Sequence, residues 1–231
     1  MPWLIATYQP VGLFSLKHGE ATSTGGKSLL IPTPFALRTA LVDAALRVEG
    51  VDRAEEVFHL VKGLELAFRP PTRAAVSALF VKVLKPERPG SGKARFFQKT
   101  IAFREFVHWW GDLGLAFGGS EEALKAVAAW LPHITYLGKR GGFVQLTAPP
   151  TQADALPEGF YPLEPVALRQ GFPLGLIQRV DEWGEALTWS KLNVYSAEKI
   201  KVGRDRVRFD VATPYALLQA GRGFALYGMG A

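Results

Sequence analysis

The order of apolar patterns along the chain predicts an α+β fold: a ferredoxin-like (RRM-like) core, an elongated β-hairpin inserted in its middle and a small β-rich C-terminal appendage. Three observations carry this expectation. Capped helical patterns alternate with branched and aromatic runs in the order β-α-β-β-α-β, the arrangement shared by RNA-recognition folds. The two middle runs flank a turn over residues 85–93 that is too long for a tight hairpin. A proline-dense stretch over residues 148–165 then separates a core, residues 1–147, from a linker and appendage, residues 148–231.

Residues 3–16 mix β-branched and aromatic side chains and read as a strand, followed by a polar, flexible loop at 17–28. Thr33 suits an N-cap and Pro34 the first helical position, and Leu37, Leu41, Ala44, Ala45 and Val48 recur at helical spacing until Gly50. Asp52, with Glu55 three residues on, makes an acidic variant of the capping box for a second, short helix that bears Val57, Leu60 and Val61 and ends at Gly63. Strand patterns follow at 64–69, 76–84, 96–107 and 113–117. Ser120 caps the next helix, Glu121 and Glu122 sit at the positive end of its dipole, Leu124, Val127, Ala128 and Leu131 form its face, and Pro132 stops it. Residues 134–137 and 143–147 read as strands around a turn. In the appendage the strand candidates are 187–195, 199–202 and 207–211.

Composition narrows the function. With 231 residues, 48% apolar and 21% charged, the chain has enough apolar surface for a core and too little excess charge for disorder. No run approaches the roughly 18 apolar residues of a membrane span, and Met1-Pro2-Trp3-Leu4-Ile5 lacks a basic leader, so a cytoplasmic protein without a membrane partner is expected. The lack of cysteine removes disulfides, thiolate nucleophiles, iron–sulfur clusters and cysteine-ligated zinc. His18, His59, His108 and His133 are not paired at ligand spacing, so no metal and no other cofactor is expected. One asparagine, two methionines and many prolines point to a thermophilic source.

Lysine and arginine number 27 against 21 acidic residues, a net charge of +6 that favours polyanion partners. Arg88, Lys93, Arg95, Lys99 and Arg104 interleave with Phe96, Phe97, Gln98 and Phe103, the chemistry of a single-strand binder. An amphipathic hairpin with inward phenylalanines and solvated charges accounts for the same pattern. Gly26-Lys27-Ser28 invites a phosphate-loop reading, but Ala21 stands where that loop needs glycine; Lys27 remains an electrostatic candidate for anion contact. His133, Tyr136 and Lys139 could assemble a metal-independent ribonuclease set, although a helix exit, a sheet-edge aromatic and a solvated or phosphate-facing charge explain them too. His108-Trp109-Trp110 reads as packing or stacking. The glycine-rich end, residues 221–230, reads either as backbone able to approach a phosphate or as a flexible or docking tail.

Three stretches together resemble the CRISPR-associated family five proteins, the RAMP-type subunit that caps the guide-RNA 5′ end in type I Cascade complexes. Residues 29–41, Leu-Leu-Ile-Pro-Thr-Pro-Phe-Ala-Leu-Arg-Thr-Ala-Leu, are similar to that family's entry into its first helix, with Thr33 splitting the prolines and Thr39 where glycine is common. Residues 100–106, Thr-Ile-Ala-Phe-Arg-Glu-Phe, are similar to its Arg-Glu-Tyr/Phe strand after the thumb. Residues 136–140, Tyr-Leu-Gly-Lys-Arg, are similar to its Tyr-Leu-Gly-Arg turn, with lysine here for arginine. The resemblance implies a non-catalytic RNA-binding subunit with a thumb at about residues 82–104 that reaches the neighbouring backbone subunit. Its core would hold the crRNA 5′ handle. Arg104, Lys139 and Arg140 come from the matching motifs; Lys27, Arg95 and Lys99, with Phe96 and Phe97 for stacking, are electrostatic and aromatic choices. The implied partners are the crRNA, the family seven backbone subunit and the family eight large subunit, with target DNA within the complex a further candidate. An endoribonuclease processing the repeat RNA is the runner-up, and a structural adaptor with a basic surface a third reading.

Overall fold

The computed structural model describes residues 1–22, 25–87, 96–166 and 175–230. Its first strand, β1 (Trp3–Pro10), alternates as a strand buried on both faces must: Leu4, Ala6 and Tyr8 enter the main core, and Trp3 and Ile5 enter a smaller cluster on the other side. It ends at Pro10, well before residue 16. The polar loop expected after it carries short pieces instead, β2 (Leu16–Lys17), β3 (Gly25–Gly26) and β4 (Ser28–Leu29).

Helix α1 (Pro34–Glu49) has the expected caps. The Thr33 hydroxyl accepts from the Ala36 amide at 3.1 Å, Pro34 occupies the first turn, and Gly50, at φ +89°, closes the helix in a backbone conformation that favours glycine. The Asp52–Glu55 capping pair does not form. Residues Val51–Arg53 make a 3₁₀ turn first, so α2 (Ala54–Lys62) starts later, without a side-chain cap, and Arg53 pairs instead with Glu49 and Glu56.

After β5 (Glu65–Arg69), the chain leaves in β6 (Arg73–Pro86), returns in β7 (Phe97–Trp110), and re-enters beside β5 as β8 (Leu113–Gly118). Helix α3 (Glu121–Trp130) begins at Ser120, whose hydroxyl accepts from the Ala123 amide. Residues 134–137 form no strand; Tyr136 contributes only a single bridge to Phe143 before β9 (Val144–Leu146). Then come β10 (Thr151–Ala153) and β11 (Tyr161–Pro162), followed by β12 (Leu176–Trp183), the short α4 (Trp189–Leu192), β13 (Arg206–Thr213), β14 (Tyr215–Gly221) and β15 (Phe224–Met229).

The fold is thus mixed α+β with more strand than helix. One sheet runs β10–β1–β8–β5–β11, antiparallel throughout, with β9 pairing the far end of β1. On one face Leu4, Leu66, Leu115 and Phe117 share the main core with Leu37, Leu41, Val57 and Leu124 from the three long helices. On the other, Phe160 and Leu156 pack over Trp3, Ala67 and Ala116 of the sheet itself. Gly114 is required there, because a Cβ would lie 2.8 Å from the Phe160 ring and 2.9 Å from Arg69.

The second sheet runs β14–β15–β6–β7–β3. The closing glycine-rich stretch is therefore not a loose tail. It is an antiparallel hairpin turning at Gly223 (φ +90°) whose β15 zips along Arg73–Ser77. Two other expected strands are corrected: residues 187–195 hold the helix α4, and 199–202 contribute one bridge from Val202 to Arg206, whereas 176–183 form the strand β12 paired along its length to β13. No helix among the described residues is long and apolar enough to cross a membrane.

Asp205 anchors the loop ahead of β13. Its buried carboxylate accepts from Lys191 Nζ at 2.8 Å and the Lys201 amide at 2.9 Å, and these bonds, the lysine's first, hold its pKa below the ordinary value of 3.8. A depressed carboxylate stabilises the fold fully above its unfolded pKa and loses that contribution as pH falls through the folded one. Denaturation midpoints measured from pH 7 down to 2 are therefore expected to fall less steeply in the acid limb for Asp205→Asn than for the natural chain. Parallel curves would remove Asp205 as a source of acid sensitivity.

Candidate nucleic-acid interface

A cleft of about 660 Å³ opens where five segments meet: β2, the first turn of α1, β7, the turn after α3 and β13. Its titratable lining is Lys17, His18, Arg104, Lys139, Arg206 and Arg208, with no carboxylate on the wall. The amides of the α1 first turn add the positive end of a helix dipole.

Each cation is placed by a local cause. The Ser28 amide donates to Glu105 Oε2 at 2.9 Å, the Ser15 hydroxyl to the Glu105 carbonyl at 2.9 Å, and the Leu16 amide to Ser28 Oγ at 3.1 Å. This stitching fixes β2 and β4 beside β7 and so sets Lys17. Arg104 lies over Gly26, where a Cβ would sit 2.6 Å from its Nη1. Lys139 rides a closed turn in which Leu137 donates to the Gly142 carbonyl and Gly142 to the Lys139 carbonyl, both at 2.9 Å. Gly138, at φ +70°, packs against Leu16, with a Cβ position 2.9 Å from Leu16 Cδ1. Arg206 and Arg208 stand two residues apart on one face of β13 and share buried Asp181 behind the wall, Arg208 Nε at 3.1 Å; the Arg206 guanidinium lies 4.4 Å from the centre of the Phe35 ring.

The cleft unites two residues read from the sequence, Arg104 and Lys139, and excludes others. Arg140 is exposed beside the turn but off the wall. Lys27 lines a different cavity, of about 370 Å³, with His18, Glu105 and Arg179. Phe96, Phe97 and Lys99 lie far out on the β6–β7 hairpin, exposed, with Phe96 at 90%. Arg95 falls outside the described residues, as do Arg88 and Lys93. Sequence does not single out Lys17, Arg206 and Arg208; the alternation Arg204-Asp205-Arg206-Val207-Arg208 is the available sign of a basic strand face. Of the His133, Tyr136 and Lys139 set, only Lys139 faces the cleft, while His133 is exposed and its carbonyl accepts from Arg47.

Fold and site together define an α+β protein with a cation-lined cleft at a helix N-terminus. In sequence the chain is similar to CRISPR-associated protein Cas5 of Archaeoglobus fulgidus, 27% identical over 139 residues, which bears out the resemblance to the CRISPR-associated family five proteins. The match covers 60% of this chain and 60% of that relative's length. No family model matches. Among solved structures, a CRISPR protein from Archaeoglobus fulgidus aligns over 100% of this chain and 93% of its own at 9% identity and a TM-score of 0.39. A chain of a CRISPR RNA-guided surveillance complex aligns over 78% and 76% at 14% identity and a TM-score of 0.40. A Cas protein aligns over 92% and 95% at 18% identity and a TM-score of 0.38.

Proposed function

We propose that this chain is the family five subunit of a type I CRISPR effector complex, a non-catalytic RNA-binding protein that holds the crRNA 5′ handle and caps the backbone filament. The observation that carries the reading is the cleft, where two positions from separate family-like motifs, Arg104 and Lys139, meet Lys17 and the Arg206 and Arg208 pair that Asp181 and Glu20 hold from outside the wall. Such a wall attracts phosphates, as the groove of a single-strand binder does. The reading includes a ferredoxin-like core: taking β1, β5, β8 and the β9/β10 pair as its strands one to four, the sheet order is four-one-three-two, with α1–α2 and α3 in the crossovers. On the sheet face that RRM-type proteins offer to RNA, Trp3 and Ala116 pack against Phe160, so the reading takes the RNA to the cleft instead. The β6–β7 hairpin supplies the thumb toward the family seven subunit, and the family eight subunit and target DNA complete the assembly.

One experiment tests this. Binding of repeat-derived RNA, titrated against salt in chelator, is expected to weaken with a log–log slope of about −0.7 for each phosphate that the chain neutralises. Lys17→Ala with Lys139→Ala should flatten that slope while leaving the melting temperature unchanged, since both side chains are exposed. The RNA should remain uncut throughout. A slope that the double variant leaves unaltered would remove the cleft from the RNA path, and a single product abolished by His133→Ala would promote the endoribonuclease reading.

A further inference from the structure

The β6–β7–β15 sheet has an outward face that the cleft does not explain. Inward residues Ala74, Val76, Val107 and Trp109 are buried, with Trp109 stacked on Phe14 and bonded through Nε1 to the Leu30 carbonyl. The alternate positions on β7, Phe106, His108 and Trp110, therefore point away from the core, opposite Ser77, Ala75 and Arg73 of β6. Phe224 and Leu226 continue this face on β15, and Leu218 covers Gly228, where a Cβ would lie 2.7 Å from Leu218 Cδ1.

The chemistry of the face is selective. Trp110 is 48% exposed, and it meets His108 edge to face with centroids 4.7 Å apart at 88°. The edge-to-face contact fixes the two rings against each other, and the half-exposed Trp110 has ring surface left for a flat ring to stack on. Arg73 stands across from Trp110 and makes no ion pair among the described residues. None of these outward residues on β6, β7 and β15 is acidic; Glu105 has the opposite parity, and the next acid along the chain is Asp112, in the turn beyond Trp110. The same outward row ends at Arg104, which enters the basic cleft. From Trp110 to Arg104 the strand spans about 20 Å.

We infer that the row Trp110, His108 and Phe106, with Arg73, is a base-stacking track for single-stranded nucleic acid that leads into the cleft. A protein partner with an apolar or acidic surface is the competing occupant; the pairing of exposed π-faces with a cation and no carboxylate selects a polyanion that carries flat rings. The inference rests on the cleft reading for the identity of the strand, but it uses different residues and can fail separately.

The test uses the full chain and a fluorescein-labelled 20-nucleotide uridylate. Trp110→Ala is expected to weaken binding roughly five- to a hundredfold, the range for loss of one base–aromatic stack, with the salt slope unchanged because every phosphate keeps its cation. Trp110→Phe should stay within about threefold of the natural chain, since stacking tolerates ring replacement. Tryptophan emission should be quenched by the oligonucleotide in the natural chain, and that quench should shrink in Trp110→Phe. If Trp110→Ala and His108→Ala bind as the natural chain does while Lys17→Ala with Lys139→Ala is weakened, the track is wrong and the cleft stands. If the cleft variant binds normally and Trp110→Ala does not, the track stands and the cleft reading fails. Trp110→Ala that keeps RNA affinity but loses a protein subunit would reassign the face to protein docking.

Discussion

Arg38→Ala is expected to lower the melting temperature by about 6–20 °C without touching the cleft. Arg38 sits in the motif at 29–41 that carries the family resemblance, yet its guanidinium turns inward, 8% exposed. Its Nε donates to Glu182 Oε1 at 3.0 Å and its Nη1 to the Val61 and Lys62 carbonyls, so one side chain ties α1 to β12 and to the C-terminal end of α2. Removing it takes the paired cation from an enclosed carboxylate, whose Oε1 keeps only the Trp183 amide at 2.6 Å, and a donor from two helix-end carbonyls. Breaking a buried pair in this way costs about 3–5 kcal/mol, and each kilocalorie moves a domain of this size by roughly 2–4 °C. Replacing both partners, Arg38→Met with Glu182→Met, should recover much of the loss, because the uncompensated charge goes with its partner. Thermal melts of the two single variants and the double check this. An Arg38→Ala chain that melts like the natural one but binds RNA poorly would move Arg38 from the core to the RNA site.

What the sequence disclosed here was local, and what it hid was non-local. The Thr33–Pro34 start and Gly50 end of α1, and the Ser120 start of α3, are decided within a turn of helix, so their residues announce them. Asp52 failed as a cap because it lies inside the 3₁₀ turn Val51–Arg53, so that Arg53 and not Asp52 precedes α2. Strands β14 and β15 read as a glycine-rich tail since β15 is held by pairing with β6, roughly 150 residues earlier in the chain, and β14 by pairing with β15, rather than by their own pattern. The site divides in the same way. Arg104 and Lys139 could be named from short motifs, whereas Lys17, Arg206 and Arg208 join them only through packing between segments far apart in sequence. Lys27, chosen on charge, is turned to a neighbouring cavity by the β3–β4 pieces on either side of it.

The other large effect is expected far out on the hairpin. Beyond Ser77, β15 no longer accompanies β6, and the two long strands continue with Phe80, Leu84, Phe97, Ile101 and Phe103 on one face, all between 45% and 71% exposed, beside Lys82 and Lys99. Phe80 and Phe103 touch each other, centroids 4.0 Å apart, but the face has no core of its own. An apolar surface of this kind, rimmed by lysines, marks a place that another molecule covers, and a two-stranded ribbon is too thin to be stabilised by what it buries itself. Leu84→Ser with Ile101→Ser should therefore shift the melting temperature by no more than about 2 °C, as exposed substitutions do. Burying two such side chains against a backbone subunit would be worth about 3–6 kcal/mol, so the double variant should assemble with that subunit and guide RNA a hundredfold or more less tightly. The affinity of the isolated chain for RNA should change little, because the cleft lies nearer the base of the strands. Size-exclusion and pull-down assembly with purified backbone subunit and guide RNA reads the first effect, and a melt reads the second. Normal assembly by this variant, or its unfolding, would show that the hairpin is a core sheet extension rather than an arm that grips a neighbour.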